Sequence, residues 1–328
     1  MPSITYPGAD PAFEAAVRER LDAVERVLAE AARGDSAYVT DVAGHLLAAG
    51  GKRFRPMLVV LASQLYGGAD PDRVEKAAIV VELTHVASLY HDDVMDEADR
   101  RRGVASANRL YGNEVAILVG DYLFARASST VAKLGPEYVE LQADTFARLV
   151  QGQIAETRGP EPGEDPLGHY LAVIADKTGS LIAASAMFGG MVAEAPADVV
   201  QALALFGEEI GVVFQLSDDL LDIASETSGK TPGTDLREGV PTLPTLMLLA
   251  GDDPADARLR DLVSRPLADD AEVAEALAGL RAHPVMAAAR AEIERRAALA
   301  RQHLAPLPEG PAKAALRALA DTVVERSA

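Results

Sequence analysis

HVASLYHDDVMDEADRRRG, residues His85 to Gly103, closes an apolar run with an aspartate cluster and three consecutive arginines. At helical spacing Asp92 and Asp96 fall one turn apart on the same face, with Asp93 turned about 100° away at nearly the same height. One cation can bridge them. A lone DDxxD in an acidic protein reads equally well as a solvated helix face. Here Val86, Ala87, Leu89 and Tyr90 look like buried helix, and carboxylates at the end of a buried helix are costly unless a cation or hydrogen-bond donors compensate. The spacing also recurs: VVFQLSDDLLDIAS sets Asp218, Asp219 and Asp222 at the end of a second apolar run. Mg²⁺ favours one or two carboxylates plus phosphate oxygens and water over a cage made wholly of protein. Two such clusters therefore imply a socket for a metal-bound diphosphate.

Composition limits the alternatives. With 31 Lys and Arg against 50 Asp and Glu the net charge is −19, which opposes a broad electrostatic grip on nucleic acid or anionic lipid. A polyanionic substrate must be met locally, by metal ions, by Lys52, Arg53 and Arg55 of GGKRFRP, and by Arg100, Arg101 and Arg102. The absence of cysteine excludes disulfides and thiolate metal sites and fits a reducing cytoplasm. The first residues, MPSITYPGADPAFEAAVRER, lack the basic and apolar regions of a signal sequence. The longest uncharged stretch, Thr178 to Ala193, falls short of the roughly 20 apolar residues that span a bilayer. A soluble cytoplasmic protein with no transmembrane segment is expected.

Helical punctuation runs through the chain. Asp10 and Pro11 open a helix that Gly34 stops, a second runs from about Ser36 to Gly50-Gly51, a third starts at Pro56, and a fourth runs from Pro71 to about Ala98 with the first aspartates at its end. In GGKRFRP the glycines let backbone N–H groups approach an anion and the following helix N-terminus favours one, although an ordinary interhelical loop looks much the same. TRGPEPGEDPLGHY, with three prolines and three glycines, is a loop. Lys177 in DKTGSLIAAS is a cation inside an apolar run and asks for an anionic partner, either a substrate or a neighbouring acid.

Together, GGKRFRP, HDDVMD followed by RRG, and QLSDDLLD resemble the trans-type polyprenyl diphosphate synthases, most closely the long-chain members; the matching motifs run in order from about Gly50 to Pro244. The resemblance implies an all-α fold, a single large helical bundle around a deep central cavity spanning residues 1–328. It also implies a homodimer, several Mg²⁺ ions, and head-to-tail condensation of isopentenyl diphosphate with an allylic diphosphate primer. On it, Asp92, Asp93, Asp96, Asp218, Asp219 and Asp222 are metal ligands. Lys52, Arg55, His85 and Arg102 meet isopentenyl diphosphate, and Arg101 the allylic diphosphate. Lys177, Thr178 and Gln215 serve the allylic diphosphate and the developing cation. Lys230 falls in a matching GKxxGxDL pattern as a further substrate ligand, and Gly120 to Leu123 match the family's GD(Y/F)L element. Val240 departs from the pattern, standing where many members carry a second lysine.

Thr84, Ala87 and Ser88 lie before the first cluster on its helix and are small. In the family this resembles the open tunnel of long-chain synthases, with Phe146 as a deeper floor, so a product longer than geranylgeranyl diphosphate is expected. Other readings stay open. A short-chain farnesyl or geranylgeranyl synthase shares every motif, and a class I terpene cyclase shares the first aspartate cluster but has no use for GGKRFRP. An HD-type phosphohydrolase needs more clustered histidines than His91 and its five scattered companions. A non-catalytic synthase subunit should have lost aspartates that this chain keeps.

Overall fold

The helix starts are written in short polar side chains. Asp10 accepts from the N–H of Ala12 at 2.9 Å, Ser36 from Val39 at 3.2 Å, and Asp165 from Leu167 and Gly168 at 3.2 and 3.0 Å; each satisfies N–H groups that a helix start leaves unpaired. A computed structural model describes residues 10–67, 69–224 and 232–325. Among them the chain forms α1 (Pro11–Ala31), α2 (Ala37–Ala48), α3 (Phe54–Ser63), α4 (Pro71–Met95), α5 (Ala107–Tyr111), α6 (Asn113–Val131), α7 (Pro136–Arg158) and α8 (Pro166–Ile174). A π turn (Ala175–Gly179) links α8 to α9 (Ser180–Val192). There follow α10 (Ala197–Ala224), α11 (Thr234–Glu238), α12 (Leu243–Leu249), α13 (Ala257–Val263), α14 (Asp270–Ala282), α15 (Val285–His303) and α16 (Pro311–Glu325).

The all-α expectation holds, with one small addition. Arg100–Arg101 pairs with Val104–Ala105 as a two-stranded antiparallel hairpin. Its turn residues Arg102 and Gly103 have φ of 52° and 81°, the two positive values that the tightest hairpin turns demand. The third helix begins at Phe54, two residues before Pro56, with Arg53 left-handed at φ 50°. Proline in the first turn removes no helical hydrogen bond, so the helix can start ahead of it.

The chain divides into two compact units. One holds the described residues of Met1–Ala147, Leu181–Gly207 and Leu304–Ala318; the other holds those of Arg148–Ser180, Glu208–His303 and Leu319–Ala328. The divisions fall inside α7, α9, α10 and α16 and at the end of α15. In the first unit the middle of α4, residues 77–84, is buried on all sides, and Leu28, Leu46, Leu83, Ala87 and Leu123 meet in one cluster drawn from α1, α2, α4 and α6. In the second unit α12 packs on α8 and α15. Two helical stretches, Pro166–Val192 and Ala197–Ala224, have the length and hydropathy to cross a membrane. More than half of each apolar window is buried inside the protein, so both serve as core helices.

Candidate active site

In the first unit, the Gly50-Gly51 turn lets two arginines close in. Gly50 has φ 88°, and a Cβ on Gly51 would sit 2.9 Å from Nη1 of Arg53 and 3.1 Å from Cζ of Arg102. Arg53 is buried and fully engaged. Its Nε and Nη2 each donate to Glu25 at 2.7 Å, its Nη1 to Glu82 at 2.9 Å, and its Nη2 also to the Leu47 carbonyl at 3.0 Å. Arg102 donates to the carbonyls of Leu46 and Gly50 at 2.8 and 2.6 Å, with its Nη2 3.7 Å from Glu82. Glu82 is an acid inside an otherwise apolar helical run. That anomaly is legible in the sequence itself.

Arg55 is less well compensated. The Nε of Arg55 is buried without a partner, and burial pushes its guanidinium down to about 10 despite the favourable charge of Glu82. His85 is held well below its ordinary range, first by burial and then by the charges of Arg55, Arg102, Arg101 and Arg53; its imidazole is neutral. Lys52 is exposed beside them. Cations thus outnumber Glu25 and Glu82, and a bound dianion would relieve the imbalance.

The first aspartate cluster is split by burial. Asp93 is fully buried and accepts from Nε of Arg101 at 2.6 Å, while its Oδ2 is buried without a partner. Burial raises its pKa against the pull of Arg101. Asp92 is half-buried and Asp96 exposed, joined by the Asp96 N–H donating to the Asp92 carbonyl at 2.8 Å. Asp93, expected as a ligand beside Asp92 and Asp96, turns inward to Arg101 and leaves Asp92 and Asp96 as the more accessible pair of this cluster. Arg101, expected to meet the allylic diphosphate, is also the partner of that buried carboxylate. Thr84, Ala87 and Ser88 are buried; Thr84 and Ser88 return their hydroxyls to the carbonyls of Val80 and His85 at 2.8 and 2.9 Å. Phe146 stacks on Phe124 with ring centroids 3.9 Å apart.

In the second unit, Lys177 and Thr178 sit on the π turn, a one-residue irregularity of the kind that collects at functional sites. Nζ of Lys177 donates to Glu156 at 2.5 Å, the acidic partner that the sequence left open. A Cβ on Gly152 would come within 2.7 Å of the Lys177 backbone nitrogen, so α7 lies directly against the turn. Arg148 secures the same turn, pairing with Asp176 at 2.8 Å and Glu208 at 3.0 Å.

The second cluster repeats the split. Asp218 is half-buried, whereas Asp219 is buried and accepts from the Tyr170 hydroxyl through Oδ2 and from Nε2 of Gln215 through Oδ1 at 3.1 Å. Burial lifts Asp219 to about 6, against those hydrogen bonds. Burial and the neighbouring carboxylate hold the Tyr170 phenol well above its usual range, so it stays a donor. Asp222 spends both oxygens on backbone, accepting from Thr234 and Asp235 at 3.3 Å each and so starting α11. Its expected metal role is thereby shared with a structural one. Tyr170, Lys177, Thr178, Gln215, Asp219 and Val240 line a cavity of about 210 Å³. Tyr170 carried no charge or spacing signal and was missed. Lys230 lies outside the described residues.

The polyprenyl synthetase family pattern matches residues 36–280. The chain belongs to the polyprenyl synthetase family. It is similar to a nonaprenyl diphosphate synthase of Mycobacterium tuberculosis, 50% identical over 97% of this chain and 95% of the relative. Among solved structures it resembles geranylgeranyl pyrophosphate synthase of Corynebacterium glutamicum complexed with calcium and isoprenyl diphosphate, with TM-score 0.88, 45% identity, and 97% and 98% of the two chains covered. It also resembles a decaprenyl diphosphate synthase of Rhodobacter capsulatus, with TM-score 0.86, 35% identity, and 96% and 98% covered. A member of this family, the chain is a trans-prenyltransferase with the family's all-α fold.

Proposed function

We propose that this polyprenyl synthetase condenses isopentenyl diphosphate with an allylic diphosphate in a Mg²⁺-dependent reaction and makes a product longer than geranylgeranyl diphosphate. The observation that carries the reading is the cation surplus around His85, beside the Asp92–Asp96 pair on the same helix. Lys52, Arg55 and Arg102 hold the isopentenyl diphosphate, with neutral His85 as an additional hydrogen-bonding partner. Lys177 and Thr178 hold the allylic diphosphate and, with Gln215, stabilise the cation that forms when it ionises; Lys230 is a further substrate ligand by its motif. Arg101 adds charge on the allylic side while anchoring Asp93.

The residues fit divalent metal. Asp92, Asp96 and Asp218 offer carboxylates, the ligand type that hard cations prefer, on half-buried or exposed residues, whereas Asp93, Asp219 and Asp222 are engaged by Arg101, by Tyr170 and Gln215, and by backbone N–H groups. Asp92, Asp96 and Asp218 are assigned as direct ligands; Mg²⁺, when bound, neutralises diphosphate charge and stabilises the leaving group. Apolar helices exclude the water that would quench the cation, and the departing pyrophosphate takes the proton from the adduct. Both units serve one catalytic domain, a reading supported by helices that run from one into the other and by a family match that covers both. The protein works as a homodimer in the cytoplasm.

The long-chain assignment is supported by small, buried Thr84, Ala87 and Ser88 and by the nonaprenyl relative; the geranylgeranyl relative favours a shorter product. Incubating the protein with isopentenyl diphosphate and each allylic primer, then sizing the products, decides between them. Products beyond geranylgeranyl diphosphate support the assignment, and products that stop at or before it remove it.

A further inference from the structure

Buried phenols in this protein do not all choose the same partner. Tyr90 gives its proton to a backbone carbonyl, that of Val42 at 2.5 Å, an ordinary way to satisfy a core hydroxyl. Tyr170 gives its proton to the side chain of Asp219, whose other oxygen is taken by Gln215 at 3.1 Å. Asp219 is 5% exposed, so this three-membered clamp holds a carboxylate that has little contact with solvent. Two functional groups hang from its ends. Tyr170 lies two turns before Lys177 and Thr178 on the continuous run of α8 and the π turn, and Asp219 follows Asp218 directly on α10.

We propose that Tyr170 is a positioning residue: through Asp219 it fixes the rotation of α10 against α8, and so sets Asp218 relative to the Lys177–Thr178 pair. Asp219 lines the cavity with Tyr170, Lys177, Thr178 and Gln215, and Asp218 immediately precedes it, so a rotation of α10 by even part of a residue's 100° turn would move Asp218 relative to that cavity. The inference rests on the condensation proposed above. It adds a determinant of allylic-side geometry that leaves isopentenyl diphosphate binding alone.

Three full-length variants test it: Tyr170→Phe, Asp219→Ala and the double variant. Two readouts are used, steady-state condensation and calorimetric binding of inorganic pyrophosphate with Mg²⁺. Tyr170→Phe is expected to lower kcat by about 10-fold to 100-fold, the loss of one hydrogen bond to a charged group, and to weaken Mg²⁺-pyrophosphate binding. KM for isopentenyl diphosphate should stay unchanged. In the Asp219→Ala background the same substitution should have no further effect, since Tyr170 then has nothing to hold. Wild-type kcat and pyrophosphate binding in Tyr170→Phe would overturn the proposal. So would independent, multiplying losses in the double variant, or equal loss toward both substrates together with a lowered melting temperature, which is how a packing residue behaves. If wild-type protein makes no prenyl product yet Tyr170→Phe still weakens Mg²⁺-pyrophosphate binding, the condensation reading fails and the positioning role stands.

Discussion

Arg53 and Arg55 are neighbours in a basic run, and their environments assign them opposite duties. Removing Arg53 strands Glu82, which is buried against it at 2.9 Å, and breaking a buried pair from one side is costly. Arg53→Ala should therefore lose about 3 kcal/mol of stability in urea unfolding. Arg55→Ala removes a guanidinium whose Nε already lacks a partner; it should leave stability within about 1 kcal/mol and raise KM for isopentenyl diphosphate at least tenfold. Equal stability losses in the two variants would contradict this division. Asp219 gives a pH signature. Its pKa is lifted from 3.8 to about 6, so between those values the folded state binds more protons than the unfolded state, and stability is lost as pH rises through that window. Asp219→Asn escapes the loss. In EDTA the variant should gain on wild type from pH 4 to pH 6 by an amount on the order of 2 kcal/mol and then hold level. A gap independent of pH would show that the carboxyl is not raised.

Helix-scale features decide where the chemistry is placed. The π turn carrying Lys177 and Thr178 lies against Gly152, where a methyl group would meet backbone at 2.7 Å. Backbone cannot swing aside as a side chain can. Gly152→Ala should move α7 from the turn, cost about 1–3 kcal/mol by overpacking, and lower kcat well beyond what the stability loss explains; unchanged kcat at saturating substrate would show that the turn tolerates the shift. The helices themselves were legible in the sequence because Asp10, Ser36 and Asp165 are local signals, and the aspartate spacing was legible for the same reason. The π turn was not, since one inserted residue leaves the apolar pattern almost unchanged. Nor was the inward turn of Asp93 and Asp219: spacing gives angles between residues on a helix, and the packing partner decides which angle faces the core. Arg53 looked like a substrate ligand because its partners Glu25 and Glu82 are distant in sequence, 28 and 29 residues away.

At the scale of the whole molecule, a net charge of −19 accompanies the cationic cluster proposed to hold a diphosphate. Anionic substrates gain nothing from the long-range field, so raising ionic strength should speed their association or leave it unchanged. Steep slowing with salt in stopped-flow binding would mean that local cations dominate steering. The proposed homodimer should run in light scattering at twice the chain mass of 34.5 kDa, and the single-chain mass across a wide concentration range would refute it. Ala87→Phe places a ring in the cluster that Ala87 shares with Leu46, Leu83 and Leu123. If the growing product passes that face, the active variant should shift toward farnesyl or geranylgeranyl diphosphate; an unchanged distribution would put the tunnel elsewhere.

The ion pair between Arg53 and Glu25 reaches beyond the site in one practical respect. Glu25 belongs to α1, ahead of residue 36 where the family pattern begins. A shortened protein cut at that residue for expression would keep every recognisable motif, yet it would lose the acid that receives two of Arg53's hydrogen bonds. The released guanidinium would lie beside Arg55 and Arg102 with only Glu82 to answer it. Such a truncate should bind inorganic pyrophosphate indiscriminately and resist proteolysis poorly, and its failure would be misread as a missing catalytic group when what is missing is a counter-charge on the first helix.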